Sequence, residues 1–244
     1  MRKIIFFDTE TTGNTEKDYI CQLAYKHVDG AESAEFNCLY KPPVRIPPEA
    51  SAVHHISNKM VEGKKSFSES EELPKVKDLF ENENVVCVAH NANFDLGMLK
   101  NEGITPKNVI CTLRVARELD AEGKIPRYNL QFLRYLLDLD VDAQAHDAMG
   151  DVRVLERLFG HLKEKLMTEQ GLSEEDTLKK MVEISSRPSL FRTFNFGKYK
   201  DQKIEDVART DPGYLQWLLT QKKQSDSNEE DWIYTLEHFL RARP

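Results

Sequence analysis

Asp8 and Glu10 stand one residue apart, directly after the apolar run Ile4-Ile5-Phe6-Phe7. Four consecutive apolar residues predict a strand covered on both faces. Alternate residues of a strand share a side, so the two carboxylates lie side by side at the end of a core element. Unpaired charge there is costly, and like charges that close repel. A divalent cation relieves both problems, and hard carboxylate oxygens suit magnesium or manganese. The same spacing recurs at Asp120-Ala121-Glu122, beside Gly123 and away from any apolar run. That second pair is read as a solvated loop.

Further carboxylates lie at the ends of core elements. The apolar segment Val85–Ala89 runs into His90-Asn91-Ala92-Asn93-Phe94-Asp95, which puts Asp95 in the first turn of the next helix, just past a strand end. Ligand sites in α/β sheets gather there. His146-Asp147-Ala148-Met149-Gly150-Asp151 opens an amphipathic helix whose inner side carries Val152, Val154, Leu155, Leu158 and Phe159. Asp151, one turn inside it, needs a partner or a metal. Asp8, Glu10, Asp95 and Asp151 suffice to hold two divalent cations against a phosphodiester. His146 is then the natural general base, with a pKa near neutrality. The plain alternative is four unrelated caps or surface acids. His90 is expected to be a satisfied strand-end histidine, and Asp147 an N-cap.

The elements that must position these groups follow from the pattern. Ile4–Phe7, Ile20–Val28 and Ala34–Tyr40 are predicted strands, the last two joined by a hairpin at Asp29-Gly30. Pro42-Pro43 and Pro47-Pro48 end this meander. Residues 68–80 are predicted helical, with a break at Pro74. Val85–Ala89 and Val109–Cys111 are further strands. Helices are predicted over Asn93–Asn101, on through Leu119, over Asn129–Leu137 and over Ala148–Leu166. Strands that meander and then alternate with helices imply an α/β domain with a mixed sheet.

The chain has 244 residues, 40% hydrophobic and 31% charged, enough for one large domain with a small appendage. No apolar stretch approaches membrane-spanning length and the N-terminus carries no signal-peptide pattern, so a cytoplasmic protein is expected. Cys21, Cys38, Cys87 and Cys111 form no C-x-x-C and are expected to be buried thiols rather than zinc ligands. The net charge of −7 argues against binding nucleic acid by bulk charge alone.

FFDTETTG, HNANFD and H-x4-D, in that order, resemble the three motifs of the DEDDh family of 3′–5′ exonucleases, an RNase H-like fold whose members include the proofreading subunit of bacterial replicative polymerase. The similarity covers residues 3–165 and includes Val53-His54-His55-Ile56-Ser57, which resembles a loop beside the family's active site. It implies a DNA 3′ end, single-stranded or duplex, as partner and substrate. It further implies two Mg2+ or Mn2+ ions held by Asp8, Glu10, Asp95 and Asp151, His146 as base, and release of nucleoside 5′-monophosphates in DNA repair. Thr9, His54, Asn91 and Phe94 are the implied contacts to the terminal nucleotide. RNA 3′-trimming and a proofreading-type polymerase-associated subunit are the alternatives.

Arg187-Pro188-Ser189-Leu190, TFNFGKYK and DVARTDPGYLQWLL resemble the C-terminal module of the bacterial exonuclease X group. Three parts are therefore expected: an exonuclease domain over 1–170, a linking helix over 171–187 and a small α+β module over 188–244. Arg192, Lys198 and Lys200, in a stretch rich in cations and aromatic rings, are candidate DNA contacts of that module. Two positions depart from the resembled pattern. Asn14 stands where leucine is frequent, and Asp201 where a glycine usually follows GKYK.

Overall fold

The computed structural model describes residues 3–15, 17–141, 147–225 and 229–241. At its centre is a five-stranded sheet in the order β3-β2-β1-β4-β5. β1 (Lys3–Thr11), β2 (Ile20–Asp29) and β3 (Glu32–Leu39) form an antiparallel meander. The β2–β3 turn uses Gly30 at φ 61°, the left-handed geometry a tight hairpin needs. β4 (Val85–Ala89) and β5 (Val109–Cys111) add in parallel on the other side of β1. All five residues of β4 are buried, as its unbroken apolar run requires.

Helices cover both faces. α6 (Ala148–Gln170) packs Val152, Leu155, Leu158 and Phe159 against Phe6, Val86 and Val88. On the opposite face α2 (Glu72–Phe80) and α3 (Asn93–Asn101) pack Phe80, Met98 and Leu99 against Ile5, Phe7 and Cys87. The alternation of β1 thus sends Phe6 to one layer and its neighbours to the other. α1 (Pro48–His54) precedes α2, while α4 (Thr112–Leu119) and α5 (Leu130–Leu136) precede α6. α7 (Glu174–Ser185) starts on the Ser173 cap, whose Oγ accepts from the Asp176 N–H, and it sends Leu178, Met181 and Ile184 into the α6 layer.

Several elements depart from the sequence reading. β1 runs on to Thr11, because the meander pairs it with β2 through the acids themselves. Pro47-Pro48, expected only to end the meander, opens α1, with Pro48 in its first turn where a missing N–H costs nothing. The break expected at Pro74 lies upstream: a 3-10 turn at Phe67–Glu69 precedes α2, and Pro74 sits in its first turn. Asp120 is not solvated. It is 8% exposed and accepts from the Lys124 and Ile125 N–H groups (2.9 and 2.8 Å) and the Tyr128 hydroxyl (2.6 Å). The four cysteines are free thiols, three of them buried.

In the tail, α8 (Ile204–Thr210), α9 (Pro212–Lys223) and α10 (Glu230–Arg241) enclose their own core of Phe194, Ile204, Val207, Leu215, Leu218, Trp232 and Leu236. Its β component among the described residues is one antiparallel bridge, Thr193 to Lys203. The tail docks on α4 through ion pairs. Arg114, 8% exposed, meets Glu230 and Asp231, and Arg117 meets Asp231 at 2.8 Å. Asp231 also accepts from the Ser189 N–H, and Arg117 lies over the Phe191 ring. Asn93 at the start of α3 donates to Glu230 at 2.8 Å. Among the described residues no helix is long and apolar enough to cross a membrane.

Candidate active site

β1 supplies two carboxylates and α6 a third. Asp8 and Glu10 share the side of β1 that faces α6, opposite Ala24 and Gln22 of β2. Asp151 lies in the first turn of α6, which Asp147 caps by accepting the Gly150 N–H at 3.1 Å. One oxygen each of Asp8, Glu10 and Asp151 lies within 4.8 Å of the others. The Gln131 amide donates to Asp151 Oδ1 at 2.6 Å and fixes that carboxylate.

Asp95 reaches the same place from the other layer. It sits in the first turn of α3 and is 3% exposed. Its Oδ1 accepts from the Thr9 N–H at 3.0 Å and the Thr9 hydroxyl at 2.6 Å. Thr9 points away from Asp8 and Glu10, so β1 presents its acids on one face and clamps a fourth with the other.

The electrostatics are those of a crowded anionic site. Burial, then the charges of Asp151, Asp95 and Asp147, pushes Glu10 up to about 8. Burial is also the main cause at Asp8, which is held well above the usual carboxylate range, with Asp95 and Glu10 adding to it. Burial raises Asp95 to about 7 against the opposing hydrogen bonds from Thr9. Acids that resist ionising together fit a site completed by a cation, and all-oxygen donors suit a hard divalent one.

The histidines divide. His146 lies outside the described residues. His90 is satisfied at both ring nitrogens, by Thr112 Oγ1 (2.9 Å) and the Tyr128 carbonyl (2.6 Å), and burial lowers it to about 4. His54 is 5% exposed: its Nδ1 accepts the Ile56 N–H at 3.0 Å and its Nε2 lies 3.2 Å from the Thr11 carbonyl. Both its nitrogens are thus engaged with backbone, which ties α1 to the end of β1. Its ring, together with Thr9, Asn14, Val53 and Phe94, lines a cavity of about 480 Å³ beside Glu10. Asn91 sits at the β4–α3 corner with φ 61°, a left-handed geometry that asparagine tolerates. Asp8 and Asp151 open on the other side into a recess of about 410 Å³ bounded by His90, Asn129, Leu130 and Gln131.

Sequence reasoning missed three supports. Gln131 lies in a helix with nothing to mark it. Thr9, an implied nucleotide contact that lines the cavity beside Glu10, has a second role that no motif marks, its hydroxyl donating to Asp95. Asp18 closes the loop after β1 by accepting from Thr12 and Thr15. It packs so near Gly13 that an added Cβ would lie 2.6 Å from its carboxylate.

Comparison with known proteins agrees with this arrangement. Residues 5–159 match the family model described as Exonuclease, and residues 194–223 match that described as Exodeoxyribonuclease X-like C-terminal. Exodeoxyribonuclease 10 of Escherichia coli is 32% identical over 237 residues, covering 96% of each chain. DNA polymerase III subunit epsilon of Treponema pallidum is 32% identical over 192 residues, 72% of this chain and 86% of that one. A solved exonuclease X in complex with 5′ overhanging duplex DNA superimposes with TM-score 0.57 at 27% identity, over 76% of this chain and 99% of that one. The mixed sheet flanked by helices is the RNase H-like fold of these exonucleases. With more than half its length matched and a relative similar nearly end to end, this chain belongs to the exonuclease family.

Proposed function

We propose that this chain is a metal-dependent 3′–5′ exodeoxyribonuclease that releases nucleoside 5′-monophosphates from DNA 3′ ends. The observation that carries the reading is the trio Asp8, Glu10 and Asp151 within 4.8 Å, with Asp95 clamped beside it. The similarity along nearly the whole chain to an exodeoxyribonuclease supports DNA over RNA. Asp8, Glu10, Asp95 and Asp151 would hold two magnesium or manganese ions. Bound there, such ions neutralise the phosphodiester, acidify a water and stabilise the departing 3′-oxygen.

The residues of the chain do the rest. His146 accepts the proton of the attacking water. The water oxygen bonds to the terminal phosphorus as the bond to the penultimate 3′-oxygen breaks, so the phosphate leaves on the released nucleotide. Phe94 and Asn91 line the terminal nucleotide, and the cavity beside Glu10, walled by His54 and Val53, receives its sugar and base. Thr9 acts through Asp95, holding it in register with β1. Residues 1–170 carry the catalytic groups, 171–187 form a helix that links them to the tail while completing their core, and 188–244 form a module that contacts DNA. The first similarity and the separate core of α8–α10 support that division.

The test is nucleotide release from matched DNA and RNA oligonucleotides with magnesium and with EDTA. Asp8→Ala is expected to lower the DNA rate by several orders of magnitude while leaving the fold intact, since a repelling carboxylate has gone. More than about a tenth of the parent rate in that variant would sink the assignment. Faster release from RNA would overturn the choice of substrate.

A further inference from the structure

A cavity of about 740 Å³ opens between the segment 123–130 of the catalytic domain and the segment 190–201 of the tail. His90, Asn129 and Leu130 line both this cleft and the recess at Asp8 and Asp151, so the two form one continuous groove. Arg127 enters the cleft from the domain side; Arg192 and Lys200 enter from the tail. None of the three has an acidic partner within ion-pair distance among the described residues, and Arg192 Nε is buried with no hydrogen-bond partner. Of the neighbouring cations, Arg187 pairs with Glu118 at 2.7 Å and Lys198 with Asp211 at 3.1 Å, and Lys203 does not line the cleft. The carboxylate among the lining residues is Asp201. Tyr128 and Phe191 also line the cleft, with Arg117 packed against both rings and anchored by Asp231.

Three uncompensated cations converging in one concavity of a chain with net charge −7 call for a polyanion. The continuity of the groove with the carboxylates says which one. A strand whose 3′ end reacts at Asp8 and Asp151 has its upstream phosphates a few nucleotides away, and rings beside cations suit the bases and phosphates of an unpaired strand. We propose that the cleft between domain and tail is a strand track, in which Arg127, Arg192 and Lys200 contact phosphates of the scissile DNA strand upstream of its reacting end. This rests on the exonuclease reading and assigns a binding surface that includes Arg127, a residue no motif marks.

The experiment measures binding of the Asp8→Ala chain to single DNA strands of about four and about sixteen nucleotides at several salt concentrations. The triple variant Arg127→Glu/Arg192→Glu/Lys200→Glu is set against Lys107→Glu, which lies before β5 at the opposite end of the sheet from the carboxylates. The long strand is expected to bind the triple variant at least tenfold more weakly, with a salt slope flatter by about 2, roughly 0.7 for each phosphate no longer neutralised. The short strand is expected to bind both variants alike. Lys200→Glu alone, at an exposed position that cannot unfold the chain, is expected to flatten the slope by about 0.7. Long-strand affinity equal to that of the Lys107→Glu protein overturns the track. Equal losses on both strands also overturn it, since the cations would then act at the carboxylates. Failure of the parent to bind either strand would instead bring down the DNA reading.

Discussion

At the scale of single residues, the site depends on how its carboxylates are held. Thr9 gives Asp95 two hydrogen bonds, one from the backbone and one from the hydroxyl. Thr9→Val keeps the shape of the side chain and removes only the second. Loss of a group that orients a metal ligand costs about 10–100-fold in metal affinity or activity. The expected result is a rightward shift of that size in the magnesium dependence of nucleotide release, and an unshifted curve would refute the role. His146 is tested by its pH profile: the parent rate is expected to rise through the histidine range, while His146→Ala turns over poorly and binds DNA normally. Asp201 makes a different point. It holds φ 66°, a left-handed geometry that glycine adopts freely and aspartate only at some cost. Asp201→Gly is expected to raise stability slightly, the roughly 1–2 kcal/mol of left-handed strain relieved outweighing the roughly 0.5–1 kcal/mol that glycine's extra freedom in the unfolded chain costs, read as a higher melting temperature. A lower one would mean that the hydrogen bonds of this turn depend on the aspartate.

At the scale of elements, β1, α3 and α6 meet where their acids crowd together. The folded state raises Glu10 to about 8 and Asp95 to about 7, mainly through burial. A carboxyl whose folded pKa exceeds its unfolded one favours folding while protonated, and that advantage is lost as pH rises from the unfolded value to the folded one. The metal-free protein is therefore expected to lose stability between about pH 4 and 8, as these carboxyls ionise. Magnesium should raise the melting temperature far more at pH 8 than at pH 5. Glu10→Gln should flatten the metal-free profile, and a profile as steep as the parent's would show that the acids are not the cause. Much of this arrangement was legible in the sequence, because it rests on local signals. The unbroken apolar run set β4, and the residues from Asn93 to Asn101 set α3 to the residue. What escaped depends on distant partners or on punctuation with two meanings. Prolines that close a meander also open a helix, as at Pro48. Asp120 looked solvated because its donors, Lys124, Ile125 and Tyr128, come from a fold-back that the alternation of apolar residues does not encode.

At the scale of the whole molecule, the unit that folds and the unit that cleaves have different ends. The family match stops at residue 159 and α6 at Gln170, which invites a cut there. The core does not end at Gln170. α7 adds Leu178, Met181 and Ile184 to the layer under α6, and Ser185 accepts Arg114 at its carbonyl and the Cys111 N–H at its hydroxyl. Each of those three side chains is worth about 1.5–3 kcal/mol when buried, so a chain ending at Gln170 forfeits a large part of an ordinary domain's total stability. A chain ending at Arg187 keeps them and loses α8–α10, which carry a separate core. It also loses Glu230 and Asp231, leaving Arg114 and Arg117 to water where the tail had covered them. The expected outcome is graded. The 1–187 chain should melt cooperatively and release nucleotides from a short strand, but bind a long strand more weakly and with a flatter salt dependence than the full chain. The 1–170 chain should be marginal or unfolded. Thermal melts of the two truncations, with rates on short and long strands, decide the matter. If 1–170 proves as stable as 1–187, α7 is a tether rather than part of the core. If 1–187 matches the full chain on long strands at every salt concentration, the tail serves something other than DNA.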